Sequence, residues 1–308
     1  MRGVSLAAVL TTLVVATPAF AAPCAGNRQA LGTSRVLAVN PQEHGRIGRM
    51  QYSQFPQPPL NDHEVVLTFD DGPLPPYTDS VLKALAAECV RATFFSVGRQ
   101  AKQFPETLRR TLKEGHTIGT HSQNHPLTFD QMSFERAKRE IDDGIDSVSS
   151  ALGDPQLVAP FFRIPGLLRI EDVESYLESK SISIWSADAD ADDWYKTATP
   201  ETIVRKAMTR LNQRGRGILI LHDVQPATAL ALPMLLQELK ANGYRVVHVV
   251  PAGKRPSRAP QVADAEPDAQ GWPRVPENRK PKRTRNDRET YEWHSTPPET
   301  RGWQYFRR

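Results

Sequence analysis

Residues Glu64–Gly72 read EVVLTFDDG, an apolar run that stops on two adjacent carboxylates, Asp70 and Asp71, and a glycine. A short continuous apolar run bounded by a turn signal is the pattern of a strand covered on both faces. Two neighbouring carboxylates repel, so the pair is costly unless a cation sits between them or one stays protonated. A cation is the simpler answer. Adjacent residues on an extended segment point in opposite directions. One aspartate can therefore bind an ion while the other needs a local turn to face the ion's water, and Gly72 permits such a turn.

Working outward, similar β-rich runs occur at ATFFSV, HTIGT, FFRIP, SISIWSA, GILILH and YRVVHVV, which with VVLTF make seven expected strands. Amphipathic segments lie between them, among them TDSVLKALAAE, FPETLRRTLKE, SFERAKREIDDGIDSVSSAL, TPETIVRKAMTRLNQRG and ALPMLLQELKANG. Several begin with Ser, Thr or Pro and end in glycine, as capped helices do. Regular strand–helix alternation means an α/β fold with a parallel sheet. At this length the expectation is a distorted (β/α) barrel with about seven parallel strands, and a doubly wound open sheet is the runner-up.

The ends of the chain read differently. Residues 1–21 have a basic start at Arg2, an apolar stretch of about a dozen residues and the small-residue site Ala19-Phe20-Ala21, the pattern of a signal peptide. The competing reading is a retained anchor, but the apolar stretch is short for a bilayer. Residues 22–60 read as a loosely structured lead-in and 61–251 as the folded α/β domain. Residues 252–308 read as a basic, proline-rich, disordered tail. From Pro251 onward there are 13 Lys/Arg against 8 Asp/Glu and 9 of the 26 prolines, so the formal charge of +4 belongs to the tail. Export to a secreted or periplasmic location is oxidising, where Cys24 and Cys89 can pair; two free thiols are an equally fair reading.

Residues able to do chemistry fall at the C-terminal ends of the expected strands. Asp70 and Asp71 follow the first, His121 closes the third, Arg163 sits near the end of the fourth, DADADDW follows the fifth, and His222 ends the sixth. In a parallel barrel those ends share one face, which holds the active site. THSQNHP places His121 and His125 four apart, but Pro126 disfavours a helix at His125, so a turn is expected. Two histidines and a carboxylate leave a position open for water, as Zn²⁺ has in hydrolases. Asp71 can be that carboxylate, leaving Asp70 free. Trp194 and Trp185 can offer flat aromatic rings at this face or fill the barrel rim.

Taken together, LTFDDGPLPPYT, ATFFSVG, EGHTIGTHSQNHPLT, FFRIPG, DADADDW and ILILHD resemble the polysaccharide deacetylase family, the NodB homology domain or carbohydrate esterase family 4, from about Val65 to Val250. The resemblance implies a distorted barrel and metal-dependent removal of N-acetyl groups from N-acetylglucosamine-containing polysaccharide: peptidoglycan, chitin oligomer or exopolysaccharide. It implies Asp70 as general base, Asp71, His121 and His125 as ligands of one divalent metal, Arg163 orienting Asp70, and His222 as general acid. Zn²⁺ is the first choice of metal, with Co²⁺, Ni²⁺ or Mn²⁺ as alternatives. The family's acidic motif, an Asp two residues before Asp-Trp, fits Asp190 with Asp193 and Trp194, while counting from Trp185 favours Asp188. A carboxylate among Asp188, Asp190 and Asp193 is needed near His222 to keep it protonated beside a cation. Two departures stand out: Gly166 replaces an aromatic residue at the position whose backbone N–H holds the oxyanion, and Ile220 replaces a leucine.

Three other readings compete: an O-acetyl ester or small-amide hydrolase on the same scaffold, a non-catalytic carbohydrate-binding module, and an iron oxygenase using the same ligand types. The alternating helices argue against the last. An N-acetylated glycan is the expected partner, nucleic acid is not, and no transmembrane anchor is expected after signal removal. The aromatic, basic tail can meet an anionic glycan or membrane surface.

Overall fold

The computed structural model describes Cys24 and residues 27–253. The strands along them are β1 (Thr33–Val39), β2 (Arg46–Ile47), β3 (Glu64–Asp70), β4 (Thr93–Ser96), β5 (Thr117–Thr120), β6 (Phe161–Phe162), β7 (Ser183–Trp185), β8 (Ala189–Asp190), β9 (Gly217–His222) and β10 (Arg245–Pro251). The helices are α1 (Arg49–Tyr52), α2 (Tyr77–Ala87), α3 (Gly98–Gln103), α4 (Pro105–Lys113), α5 (Phe134–Leu152), α6 (Glu171–Ser179), α7 (Pro200–Arg214) and α8 (Pro226–Ala241). All seven residues of β3 are buried, as a strand with both faces covered must be.

β3 pairs with β9 along Val65–Asp70 and, on its opposite edge, with β4 at Thr68–Asp70. From β4 the parallel path continues through β5, β6 and β7 to β2, and β8 lies beyond β9. The seven expected strands are all present, every pairing is parallel, and the fold is α/β. The sheet does not close by strand pairing. No ladder joins β2 to β8, the two ends of this path, and Asp188 bridges the gap. Its backbone N–H donates to Ile218 O, while its carboxylate accepts the N–H groups of Ile218 and Arg49 at 2.8 and 2.7 Å.

β10 meets β3 only at Glu64 and Val65, then passes the start of β5, where the Thr117 hydroxyl donates to Val249 O at 2.6 Å. The β1–β10 ribbon thus covers the N-terminal ends of the strands. Val39, Val247 and Val249 pack there with Val66, Phe95, Phe161, Trp185 and Ile218, filling the barrel from the end opposite the chemistry.

Residues 22–60 differ from the expected loose lead-in. They contain β1, β2 and α1, and the Cys24–Cys89 disulfide ties their start to the end of α2. β1 carries a weak apolar pattern, with Val36 41 % exposed, and becomes a strand because β10 supplies its backbone partners. The expected signal peptide and the tail from residue 254 lie outside the described residues. Among the described residues no helix is long and apolar enough to cross a membrane.

Candidate active site

At the end of β3 the chain turns at Asp71, whose φ of 79° is left-handed. The turn is therefore made by the aspartate itself and not, as expected from the sequence, by Gly72. Glycine is needed there for a different reason: a Cβ would run into the Asp223 carboxylate. That carboxylate, buried beneath the turn, accepts the Gly72 N–H at 3.1 Å and the Thr78 hydroxyl at 2.5 Å. Burial pushes the Asp223 carboxyl up to about 7; the Thr78 hydrogen bond opposes the rise and the Asp71 charge adds to it. Sequence reading passed over Asp223. Its signal was the dipeptide His222-Asp223 at a strand end.

His121 follows β5, and the next residues form the expected turn, with Ser122 and His125 at φ 62° and 54°. Helix α5 holds this turn. The Gln123 N–H donates to the Glu140 carbonyl, and the Glu140 carboxylate accepts both the backbone N–H and the side-chain amide of Asn124 at 2.8 and 2.9 Å. Gly144, one turn further along α5, lets the helix approach Ser122 so closely that a Cβ would lie 2.6 Å from its carbonyl carbon.

His121 is oriented from behind, its Nδ1 2.6 Å from the Arg163 carbonyl. That contact assigns the proton to Nδ1 and leaves Nε2 as a lone-pair donor. The Nε2 atoms of His121 and His125 lie 3.5 and 3.3 Å from Asp71 Oδ1. A tetrahedral ion with bonds near 2.0–2.1 Å holds its ligand atoms roughly 3.3 Å apart. Asp71 Oδ1 is buried without a hydrogen-bond partner, an orphaned acceptor that a cation would satisfy. Burial is the main cause holding His121 down at about 4, so it is neutral, as a ligand must be. The donor set of Asp71, His121 and His125 thus fits a divalent metal.

Asp70 lies beside this set, with Oδ2 3.7 Å from His121 Nε2. The fully buried Arg163 donates from Nη1 to Asp70 Oδ1 at 2.6 Å and to Thr68 Oγ1 at 2.9 Å, and from Nη2 to Ser186 O at 2.8 Å. Its guanidinium lies over Phe95, 4.3 Å from the ring centre. Opposite, His222 Nδ1 meets Asp193 Oδ1 at 2.8 Å. Asp193 Oδ2 accepts the His222 N–H and the Thr228 hydroxyl at 2.7 and 2.6 Å. Burial alone would lower His222; the charge and hydrogen bond of Asp193, helped by Asp71 and Asp70, outweigh it and raise the imidazole to about 10.

Of the three candidate aspartates in DADADDW, the structure brings Asp193 to His222. Asp190 is turned to Arg210 of α7 and accepts the Asp192 N–H, and Asp188 serves the barrel gap. Trp185 is buried in the core against Phe95 and Phe161. Trp194 is half-buried and stacks on Tyr195 at 3.8 Å between ring centres. Gly166 has φ 67°, which is what requires glycine there, since an added Cβ would meet only Leu168, at 3.7 Å.

Comparison with known proteins agrees with this geometry. The polysaccharide deacetylase family model matches residues 57–184, a span that stops short of Asp193 and His222. The peptidoglycan-N-acetylmuramic acid deacetylase PdaC of Bacillus subtilis is 35 % identical over 191 residues, which are 61 % of this chain and 38 % of that protein. A peptidoglycan-N-acetylglucosamine deacetylase of Bacillus cereus is 35 % identical over 196 residues, 62 % of this chain and 88 % of the relative. Among solved structures, a peptidoglycan deacetylase of Bdellovibrio bacteriovorus superposes with a TM-score of 0.63 at 31 % identity, covering 72 % of this chain and 60 % of that one. With the motifs, the fold and the ligand geometry in agreement, the chain belongs to the polysaccharide deacetylase family.

Proposed function

We propose that this protein is an exported, metal-dependent hydrolase that removes N-acetyl groups from the amino sugars of peptidoglycan. One observation carries the reading: Asp71, His121 and His125 converge on a point flanked by Asp70, bound to Arg163, and by His222, bound to Asp193. The Bacillus subtilis and Bacillus cereus relatives described above act on peptidoglycan by name, which supports the substrate class. The disulfide supports an oxidising location, and residues 1–21 act as the export signal.

Asp71, His121 and His125 hold the metal, Zn²⁺ as first choice, which when bound supplies Lewis acidity toward a water and the acetyl carbonyl. Asp70 takes the proton of the attacking water. The charge-assisted bond from Arg163 fixes its orientation toward the site. The Gly166 N–H stabilises the negative oxygen that develops on the carbonyl. His222, protonated because Asp193 faces its Nδ1, points Nε2 at the departing amine and donates the proton that lets the C–N bond break. Asp193 is thus a positioning and charge partner rather than a group that touches substrate. Trp194 offers a ring at the rim for a sugar face.

The test is mass spectrometry of N-acetylglucosamine oligomers and of peptidoglycan strands after incubation with the protein plus Zn²⁺, with chelator, and with the Asp70→Asn variant. Acetyl loss that needs metal and disappears in the variant is the expected result. Acetate release from acetylxylan alone would move the reading to an O-acetyl esterase, and binding without any release to a carbohydrate-binding module.

A further inference from the structure

We propose that Arg99 selects glycans that carry a carboxylate next to the acetamide to be hydrolysed. The inference rests on the deacetylase reading and narrows its substrate to an anionic strand.

The position of Arg99 is set by backbone bonds to both ligand-bearing loops. The Val97 N–H donates to Gly72 O at 3.1 Å, beside Asp71. The N–H groups of Gly98 and Arg99 donate to Ser122 O and Gln123 O, each at 2.9 Å, between the two histidines. Gly98 makes this approach possible, since a Cβ there would meet the Gln123 side chain and, at 3.0 Å, the Cα of Gly144. Arg99 is thereby fixed at the rim of the site, one residue from its tightest contact.

Its side chain is exposed, and its guanidinium makes no hydrogen bond or ion pair among the described residues. The other arginine at the site, Arg163, is by contrast committed to the Asp70 carboxylate. The backbone bonds that seat Arg99 put this residue at the rim beside the loops that carry Asp71, His121 and His125. The chemistry leaves this charge unused: Arg163 already serves Asp70, and a neutral acetamide offers a guanidinium no counter-charge. A cation beside a metal site repels the metal, and a bound anionic substrate would offset that repulsion. The guanidinium fork matches a carboxylate bidentately. In peptidoglycan that group is the lactyl ether carboxylate of a muramyl residue or a carboxylate of the stem peptide; a chitin oligomer has neither.

The experiment compares wild type, Arg99→Gln and Arg99→Lys, all loaded with Zn²⁺, on three substrates. These are a neutral N-acetylglucosamine oligomer, a peptide-free muramyl-containing strand, and the same strand bearing stem peptides. Arg99→Gln is expected to raise KM on the carboxylated strands about ten-fold, the scale of a charged hydrogen bond, with kcat and the neutral-oligomer kinetics within about two-fold. Arg99→Lys should recover part of the loss, and added salt should weaken binding of the wild type more than of the Gln variant. An effect on the peptide-free strand assigns the lactyl carboxylate; an effect only with peptides assigns the stem. Equal losses on neutral and charged glycans, or no loss on either, overturn the proposal. Titration calorimetry of the same strands reads Arg99 without turnover, so absence of deacetylation in wild type would refute the deacetylase reading while binding still decided the role of Arg99.

Discussion

Replacing Gly144 by alanine separates the work of α5 as a helix from its work as a support for the metal loop. An alanine Cβ would lie 2.6 and 2.8 Å from the carbonyl carbon and oxygen of Ser122 and 2.9 Å from Gln123 N, all backbone atoms. Restoring ordinary contact requires a movement of about 1 Å. Helix α5 resists it because Ala137, Ile141, Val148 and Leu152 anchor it in the core. The loop resists it less, but it carries His121 and His125, and metal sites tolerate ligand displacements of only about 0.2 Å. The substitution gains roughly 1 kcal/mol of helix propensity, against about 1–3 kcal/mol for overpacking. Global stability should therefore fall by no more than about 2 kcal/mol, while zinc affinity falls roughly 10- to 100-fold, as for loss of a partner behind a ligand. Competition between apoprotein and a chromophoric chelator measures the affinity, and circular dichroism melting measures the stability. A Gly144→Ala protein that binds Zn²⁺ like the wild type and melts higher would refute the idea that α5 sets the position of the histidines.

Three further outcomes follow from other contacts. Asp193→Asn removes the charge that outweighs burial at His222, so the imidazole loses its proton at lower pH; the alkaline limb of the kcat profile should move down, and a limb that stays in place would dissociate Asp193 from the acid. His116, whose Nδ1 accepts the Ala92 N–H, is held down at about 3 chiefly by burial. The unfolded chain therefore binds a proton there first: stability is complete above pH 6.5 and declines toward pH 3 by up to about 1.4 kcal/mol per unit. Urea midpoints measured across that range should show this slope, and it should flatten in His116→Gln. Reducing the Cys24–Cys89 bond, which closes 65 residues, should cost up to about 4 kcal/mol in the chain-entropy picture, visible as a lower melting temperature with reductant; an unchanged melt would show that the N-terminal segment is held by β1 alone.

The fold and the cluster able to hold a cation are legible because their signals are local. Seven strands appear as apolar runs, and Asp71, His121 and His125 sit within a few residues of two strand ends. The turn at His121–His125 could be foretold from Pro126, since a proline restricts the residue before it. The segments that read poorly are those whose partners are distant. β1, β2 and β8 have little pattern of their own and exist because β10, β7 and β9 supply their backbone bonds. The role of Gly72 was misjudged because its neighbour, Asp223, is 151 residues away.

Chain-local chemistry therefore determined which residues end strands, where helices start, and which side chains can bind a cation, since periodicity and turn preferences act over a few residues. Only the packed structure decided that Asp193, rather than Asp188 or Asp190, meets His222, that Asp188 spans the open side of the barrel, and that Glu140 and Gly144 set the metal loop. The physical reason is that a charge is tuned by whatever burial and counter-charges surround it. Those surroundings are assembled from several strands and helices at once.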